Sequence, residues 1–208
     1  MILEDSTEAY KVAIDFLKDG KIVIIPGVSN YSLAVNALDA NAIKRLYDIK
    51  KRPYSKPITL LLPPNKANRF IEIPKRNQKA LLLMGDPIVL IGKARKDSPV
   101  SNVINSNTST LGISWLNIWP HKLLYRYASF PIAGSSLNIS GEPIVATFEE
   151  VIEKFDGKDD LIIKEGDCPH QGREASVLDI SADPPLLVRR GFVDEAIIKC
   201  FFPDLVTK

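Results

Sequence analysis

The chain is poor in soft ligands and in groups that titrate near neutrality, with two cysteines, two histidines and two methionines in 208 residues. Cys168 and Cys200 form no Cys-x-x-Cys pair, and no charged n-region leads into an apolar h-region at the start. The expectation is an intracellular, reduced protein. A metal site at Cys168-Pro-His170 would need further ligands, and His121 is the one other histidine; a surface turn is the expected reading. No apolar run reaches bilayer length, which excludes the membrane-spanning class. Also missing are a Walker-type loop ending in Lys-Ser/Thr, a G-x-G-x-x-G turn, a G-x-S-x-G elbow and an H-E-x-x-H pair. With a formal charge of +2 and a pI near 8.4, net charge alone does not argue for nucleic acid or a membrane surface. Any recognition of anions must be local.

What is present is an ordinary globular balance, 45% hydrophobic and 25% charged, without repeats or low-complexity linkers. Residues 5–20 carry a helical stripe of Ala9, Tyr10, Ala13, Ile14 and Leu17, with Asp5 and Glu8 in capping-box spacing and Gly20 as a stop. Strand-like runs follow at 21–26, 57–63, 87–94, 110–115, 131–136, 160–166, 175–181 and 185–191. Helices are predicted at 39–50, with Ile43, Leu46 and Tyr47 inward, at 75–84, whose leucines and methionine read as core, and at 147–157, capped by Thr147 and Glu150. A short apolar helix at 194–202 is expected to dock on the core. This alternation predicts one α/β domain over 1–208, with a large mixed sheet.

Three segments carry more polarity than packing requires. Lys50, Lys51, Arg52 and Lys56 crowd around Pro53 and Pro57, so the cations sit on a stiff loop suited to polyphosphate. The alternative is a solvated helix end whose cations answer the dipole. "AGSSLNISGEP", Ala133 to Pro143, groups hydroxyls, an amide and glycines directly after a strand, which lets backbone N–H groups approach an oxyanion. "LLVRRG", Leu186 to Gly191, ends an apolar strand in two arginines, whose fork geometry grips phosphate but also serves surface ion pairs.

In order, "YDIKKRPYSKPITLLL", "SSLNISGEP" and "SVLDI…LLVRRG" resemble the signature segments of the YrdC-like family, the threonylcarbamoyl-AMP synthases and their relatives, over about 11–191. The resemblance implies a twisted α/β fold with helices on a large mixed sheet and a concave basic face, with 192–208 as a docking segment. It implies an enzyme that combines ATP, bicarbonate and an amino substrate, L-threonine in typical members, into a carbamoyl-adenylate with release of pyrophosphate, for modification of tRNA in the cytoplasm. By the same resemblance Lys50 and Arg52 would grip ATP phosphates. Ser136 and Asn138 would lie beside the nucleotide and carbamate, and Thr110 and Arg189 would contact the nucleotide again, with Lys56 on the same cationic loop. Ser29, Tyr31, Ser114, Ser136 and Ser176 would form the amino-substrate pocket, and Mg2+ would screen the phosphates.

Three segments depart from the family pattern, the first of them also by Ser32 in place of a glycine. Gly27 replaces a threonine, Ser114 replaces the arginine that meets the amino acid's carboxylate, and Ala175 replaces a serine. All fall on the amino-acid side, which points away from free L-threonine. Trp115 and Trp119 flank the altered position, as core residues or as the lining of a larger pocket. The alternatives are a diverged enzyme acting on another amine or on carbamoyl phosphate, and a non-catalytic module binding tRNA or double-stranded RNA.

Overall fold

The computed structural model describes residues 1–28, 30–100, 103–104, 108–155, 157–164 and 173–208. Its strands are β1 (Ile2–Glu4), β2 (Val23–Ile25), β3 (Ser32–Asn36), β4 (Thr59–Leu61), β5 (Ile71–Glu72), β6 (Ile88–Ala94), β7 (Thr110–Ser114), β8 (Ile132–Ser136), β9 (Leu161–Lys164), β10 (Ser176–Asp179), β11 (Leu186–Arg189) and β12 (Val206–Thr207). They form one mixed sheet in the order β1-β9-β2-β3-β8-β4-β7-β6-β10-β11-β12, with β5 paired to β6. The helices are α1 (Thr7–Lys18), α2 (Ala40–Ile49), α3 (Trp119–Tyr127), α4 (Phe148–Phe155) and α5 (Glu195–Phe201). The expected α/β fold with a large mixed sheet is the fold observed. Among the described residues no helix is long and apolar enough to cross a membrane.

Strand side chains alternate between the two faces of a sheet, and here the faces have different fates. On one face Leu33, Leu60, Leu90, Ile113 and Leu178 join a large buried cluster with Ile43, Leu46 and Tyr47 of α2. Each such side chain contributes about 1.5–3 kcal/mol by leaving water. On the other face α1 and α3 cover only part of the sheet, where Tyr10, Leu17, Leu123 and Leu124 pack on Val23, Ile25, Ala34 and Ile132. Beyond Ile132 the same face is open.

Local chemistry explains the boundaries. Ser6, rather than Asp5, caps α1: its Oγ accepts from the Ala9 N–H at 3.1 Å. Asp39 caps α2 by accepting from the N–H groups of Asn41 and Ala42. The Thr147/Glu150 box forms as expected, with Thr147 Oγ1 accepting from the Glu150 N–H and Glu150 Oε2 accepting from the Thr147 N–H. Residues 75–83 wind as a 3₁₀ helix rather than an α-helix, and Leu82 stands in solvent while Leu83 and Met84 are buried. The tighter turn rotates successive side chains by a third of a circle, so a run of three leucines cannot all face inward. Trp119 likewise is exposed, whereas Trp115 packs against the core.

Candidate active site

The open half of the sheet forms a cleft of about 310 Å³. Its floor is the outward side of β4, β6, β7 and β8: Thr59, Val89, Ile91, Thr110, Gly112, Ser114, Gly134 and Ser136. Thr59 pairs in register with Gly112 on one side and Gly134 on the other, so it rises from the middle of the floor between two residues without side chains.

The cationic loop begins at the end of α2 in a Schellman motif, with the Arg52 N–H on Tyr47 O at 2.9 Å and the Lys51 N–H on Asp48 O at 3.0 Å. Lys51 takes the left-handed position at φ 47°, where glycine is the usual residue. The loop is then closed from within: Arg52 donates through Nε to Lys56 O at 3.0 Å and through Nη2 to Pro57 O at 2.8 Å, while Tyr47 Oη donates to Lys56 O at 2.9 Å. Tyr54 stacks on Tyr47 with ring centroids 4.7 Å apart.

Lys50 differs from its neighbours, being 1% exposed. Its Nζ donates to Ser136 O, to Asn138 O at 3.0 Å and to Asn138 Oδ1 at 2.7 Å, while its own carbonyl accepts from the Ser140 N–H at 2.8 Å. Ser136 Oγ also donates to Asn138 Oδ1 at 3.2 Å, and Asn138 Nδ2 donates to Glu142 O at 2.8 Å. Burial, and after it the charge of Arg52, lower the Lys50 pKa to about 7. Lys50 therefore lies behind the cleft, fastening the Ser136-x-Asn138 turn to the helix end. Of the Lys50-x-Arg52 pair expected to grip phosphates, only Arg52 lines the cleft, and Lys50 is buried behind it.

Arg52 and Arg189 both line the cleft. Burial lowers the Arg52 pKa, Tyr47 opposes that, and the Arg189 charge lowers it further. Arg189 donates through Nε to Ala175 O at 3.0 Å and pairs through Nη1 with Glu174 at 3.1 Å. Arg52 Nη1 and Arg189 Nη2 have no acceptor among the described residues.

At the end of the floor beside Pro87 two uncharged groups are fixed, with Arg189 level with Ser114 but across β6 and β10 from it. Ser114 Oγ is buried and donates to Ile88 O at 2.8 Å. His121 closes this end beside Leu116 and Pro87; its Nδ1 accepts from the Leu116 N–H at 3.2 Å, and burial lowers its pKa to about 4. Gly27 has a local reason: a Cβ there would stand 2.6 Å from Asn30 O, so a side chain at that position would have to displace backbone.

Of the residues singled out in the sequence, Arg52, Thr110, Ser114, Ser136 and Arg189 come together around the cleft. Lys56 lies outward on the loop. Tyr31 is buried in the core of the opposite face. Ser176 is buried too; its Oγ donates to Val193 O at 2.9 Å and accepts from the Val193 N–H at 3.0 Å. These two side chains do not line the cleft, because strand alternation turns them to the packed face. Ser29 and the Cys168–His170 segment lie outside the described residues. Thr59, Glu174 and His121 line the cleft unheralded. For Thr59 the signal was available, as it is the one polar residue between Pro57 and Pro63 in the apolar run after the cationic loop.

Among the described residues no three histidine, cysteine, aspartate or glutamate side chains gather in a metal-binding group. The one cleft-lining carboxylate, Glu174, is paired with Arg189. These residues do not fit a protein-built magnesium cage, which needs free carboxylates.

A half-covered mixed sheet, with two arginines lining its open cleft and a stitched Ser-x-Asn turn at its edge, defines an α/β protein with a cationic cleft. Residues 15–191 match the Sua5, YciO and YrdC family model, described as "Telomere recombination", and the chain belongs to that family. It is 32% identical over 187 residues to the threonylcarbamoyl-AMP synthase of Pyrococcus abyssi, covering 87% of this chain and 53% of that protein. This chain thus spans about half the length of that relative. The crystal structure of P. abyssi Sua5 complexed with L-threonine superposes with a TM-score of 0.91 at 27% identity, covering 100% of this chain and 62% of the other. A full-length HypF in its phosphate- and nucleotide-bound form gives a TM-score of 0.77 at 30% identity, covering 88% of this chain and 29% of the other.

Proposed function

We propose that this chain is an ATP-dependent enzyme that forms a carbamoyl-adenylate and releases pyrophosphate, as threonylcarbamoyl-AMP synthases do. The observation that carries the reading is the pair Arg52 and Arg189: like charges held toward one cleft, each with an unused donor edge, are relieved by an incoming polyphosphate. In the step proposed, a carbamate oxygen attacks the α-phosphorus of ATP, the bond to the β-phosphate oxygen breaks, and pyrophosphate leaves with the electron pair. Arg52 and Arg189 stabilise the charge that develops on the leaving group. Ser136 Oγ, hydrogen-bonded to Asn138, would orient the carbamate. Magnesium would arrive with the nucleotide, held by phosphate oxygens.

The amino substrate is one whose carboxylate needs no arginine, since Ser114 and a neutral His121 occupy that end of the cleft. A small amine without a free α-carboxylate fits it better than L-threonine. Carbamoyl phosphate in place of an amine is the second reading, favoured by the same uncharged end.

The test is pyrophosphate release from ATP and bicarbonate with L-threonine, other amino acids and neutral amines in turn, and from ATP with carbamoyl phosphate alone. Release with a neutral amine or with carbamoyl phosphate is expected. Release with threonine alone overturns the substrate assignment, and silence throughout overturns the enzyme reading in favour of an RNA-binding module.

A further inference from the structure

A second cavity, of about 420 Å³, lies beside the cleft and shares only Leu61 and His121 with it. Its wall is aromatic. The Trp115 ring meets the edges of His121 and Tyr125 at centroid separations of 5.7 and 5.8 Å, and Phe70 and Phe130 complete the lining. Apolar surface continues outward: Leu38 and Tyr125 line the cavity yet are 46% and 38% exposed. A concave aromatic pocket with an uncovered apolar lip has the character of a ligand site rather than of a packing fault.

Two cations, Lys66 and Arg69, line this cavity, whose other polar lining residues are His121 and Ser129. They stand on the 3₁₀ segment Pro64–Arg69. Neither is paired with a carboxylate among the described residues. Arg69 is unusual in this respect. Arg45, Arg76, Arg95, Arg189 and Arg190 have carboxylate partners, Arg52 binds carbonyls, and Arg126 and Arg173 lie over aromatic rings. An aromatic body with two unpaired cations calls for a ligand of complementary build.

We infer that this cavity is a separate binding site for a small aromatic carboxylate, its ring against Trp115 and its carboxylate on Lys66 and Arg69. The site does not depend on ATP chemistry in the cleft, so its test needs neither nucleotide nor turnover. Trp119 is exposed and does not line the cavity, and the chain has two tryptophans, so Trp119→Phe leaves Trp115 as the single reporter.

Titrating that variant with 3-phenylpropionate should quench or shift Trp115 emission saturably. The neutral isostere 3-phenylpropanamide should bind at least tenfold more weakly. Adding Lys66→Ala and Arg69→Ala should weaken 3-phenylpropionate binding at least tenfold while leaving binding of the amide within twofold, which separates loss of charge from loss of fold. Equal affinity for acid and amide, an unchanged response in the cation-less variant, or no saturable response to millimolar 3-phenylpropionate would each overturn the inference.

Discussion

The two ends of the cleft are built on opposite principles. At one end Lys50 and Arg52 stand by the Ser136-x-Asn138 turn, with Arg189 farther across the sheet on β11, and the structure binds each of these cations to backbone carbonyls. At the other end Ser114 and His121 are equally well fixed but carry no charge. Rigidity is common to both; what differs is the field each presents to a ligand. Preorganised charge stabilises a leaving group, whereas an uncharged wall selects by shape and leaves a carboxylate without a partner.

Lys50→Ala tests whether the charged end also holds the fold. Removing the ammonium leaves Ser136 O, Asn138 O and Asn138 Oδ1 without their buried donor, so a loss of about 3 kcal/mol in denaturant unfolding is expected. A loss below about 0.5 kcal/mol would show that the turn does not need its lysine. Arg189→Ala should instead lower ATP-dependent pyrophosphate release about 100-fold. Its side chain is exposed, so the denaturation midpoint should scarcely move.

The uncharged end is sharpened by pH. The His121 pKa is lowered on folding from 6.5 to about 4 by burial, so between those values the unfolded chain binds a proton that the folded chain refuses. Stability from this group is therefore present above pH 6.5 and lost as the pH falls toward 4, by at most about 1.4 kcal/mol per pH unit. His121→Phe should flatten the stability profile in that window relative to the unsubstituted chain. Equal slopes would mean that the imidazole is solvated. The smallest effect is expected at Lys51, where Lys51→Gly relieves the left-handed φ of 47° and should stabilise by about 1 kcal/mol.

Much of this was legible in the sequence, unevenly. Apolar runs located β4, β6, β7 and β8, which carry the floor, because strand burial leaves a direct trace in composition, whereas the two-residue β5 was missed. β3 went unseen: Ser32 faces the cleft and Asn36 ends the strand, so only Leu33, Ala34 and Val35 remain as an apolar run. α3 was hidden by Trp119-Pro120 at its start and the lack of a side-chain cap. The burial of Lys50 could not be read locally at all. A lysine ending a helix looks solvated until the 136–140 turn, far along the chain, arrives to cover it. Arg52 and Arg189 were found because stiff prolines and a strand end place cations without long-range help.

Strand β8 passes beneath both halves of the uneven helical cover, with Ile132 under α1 and α3 and Ser136 in the open cleft. Within this one strand, then, a substitution should do different kinds of damage at its two ends. A saturation mutagenesis library read for both protein abundance and product formation should show the phenotype change along the strand, from abundance at Ile132 to turnover at Ser136, with Gly134 sensitive in both.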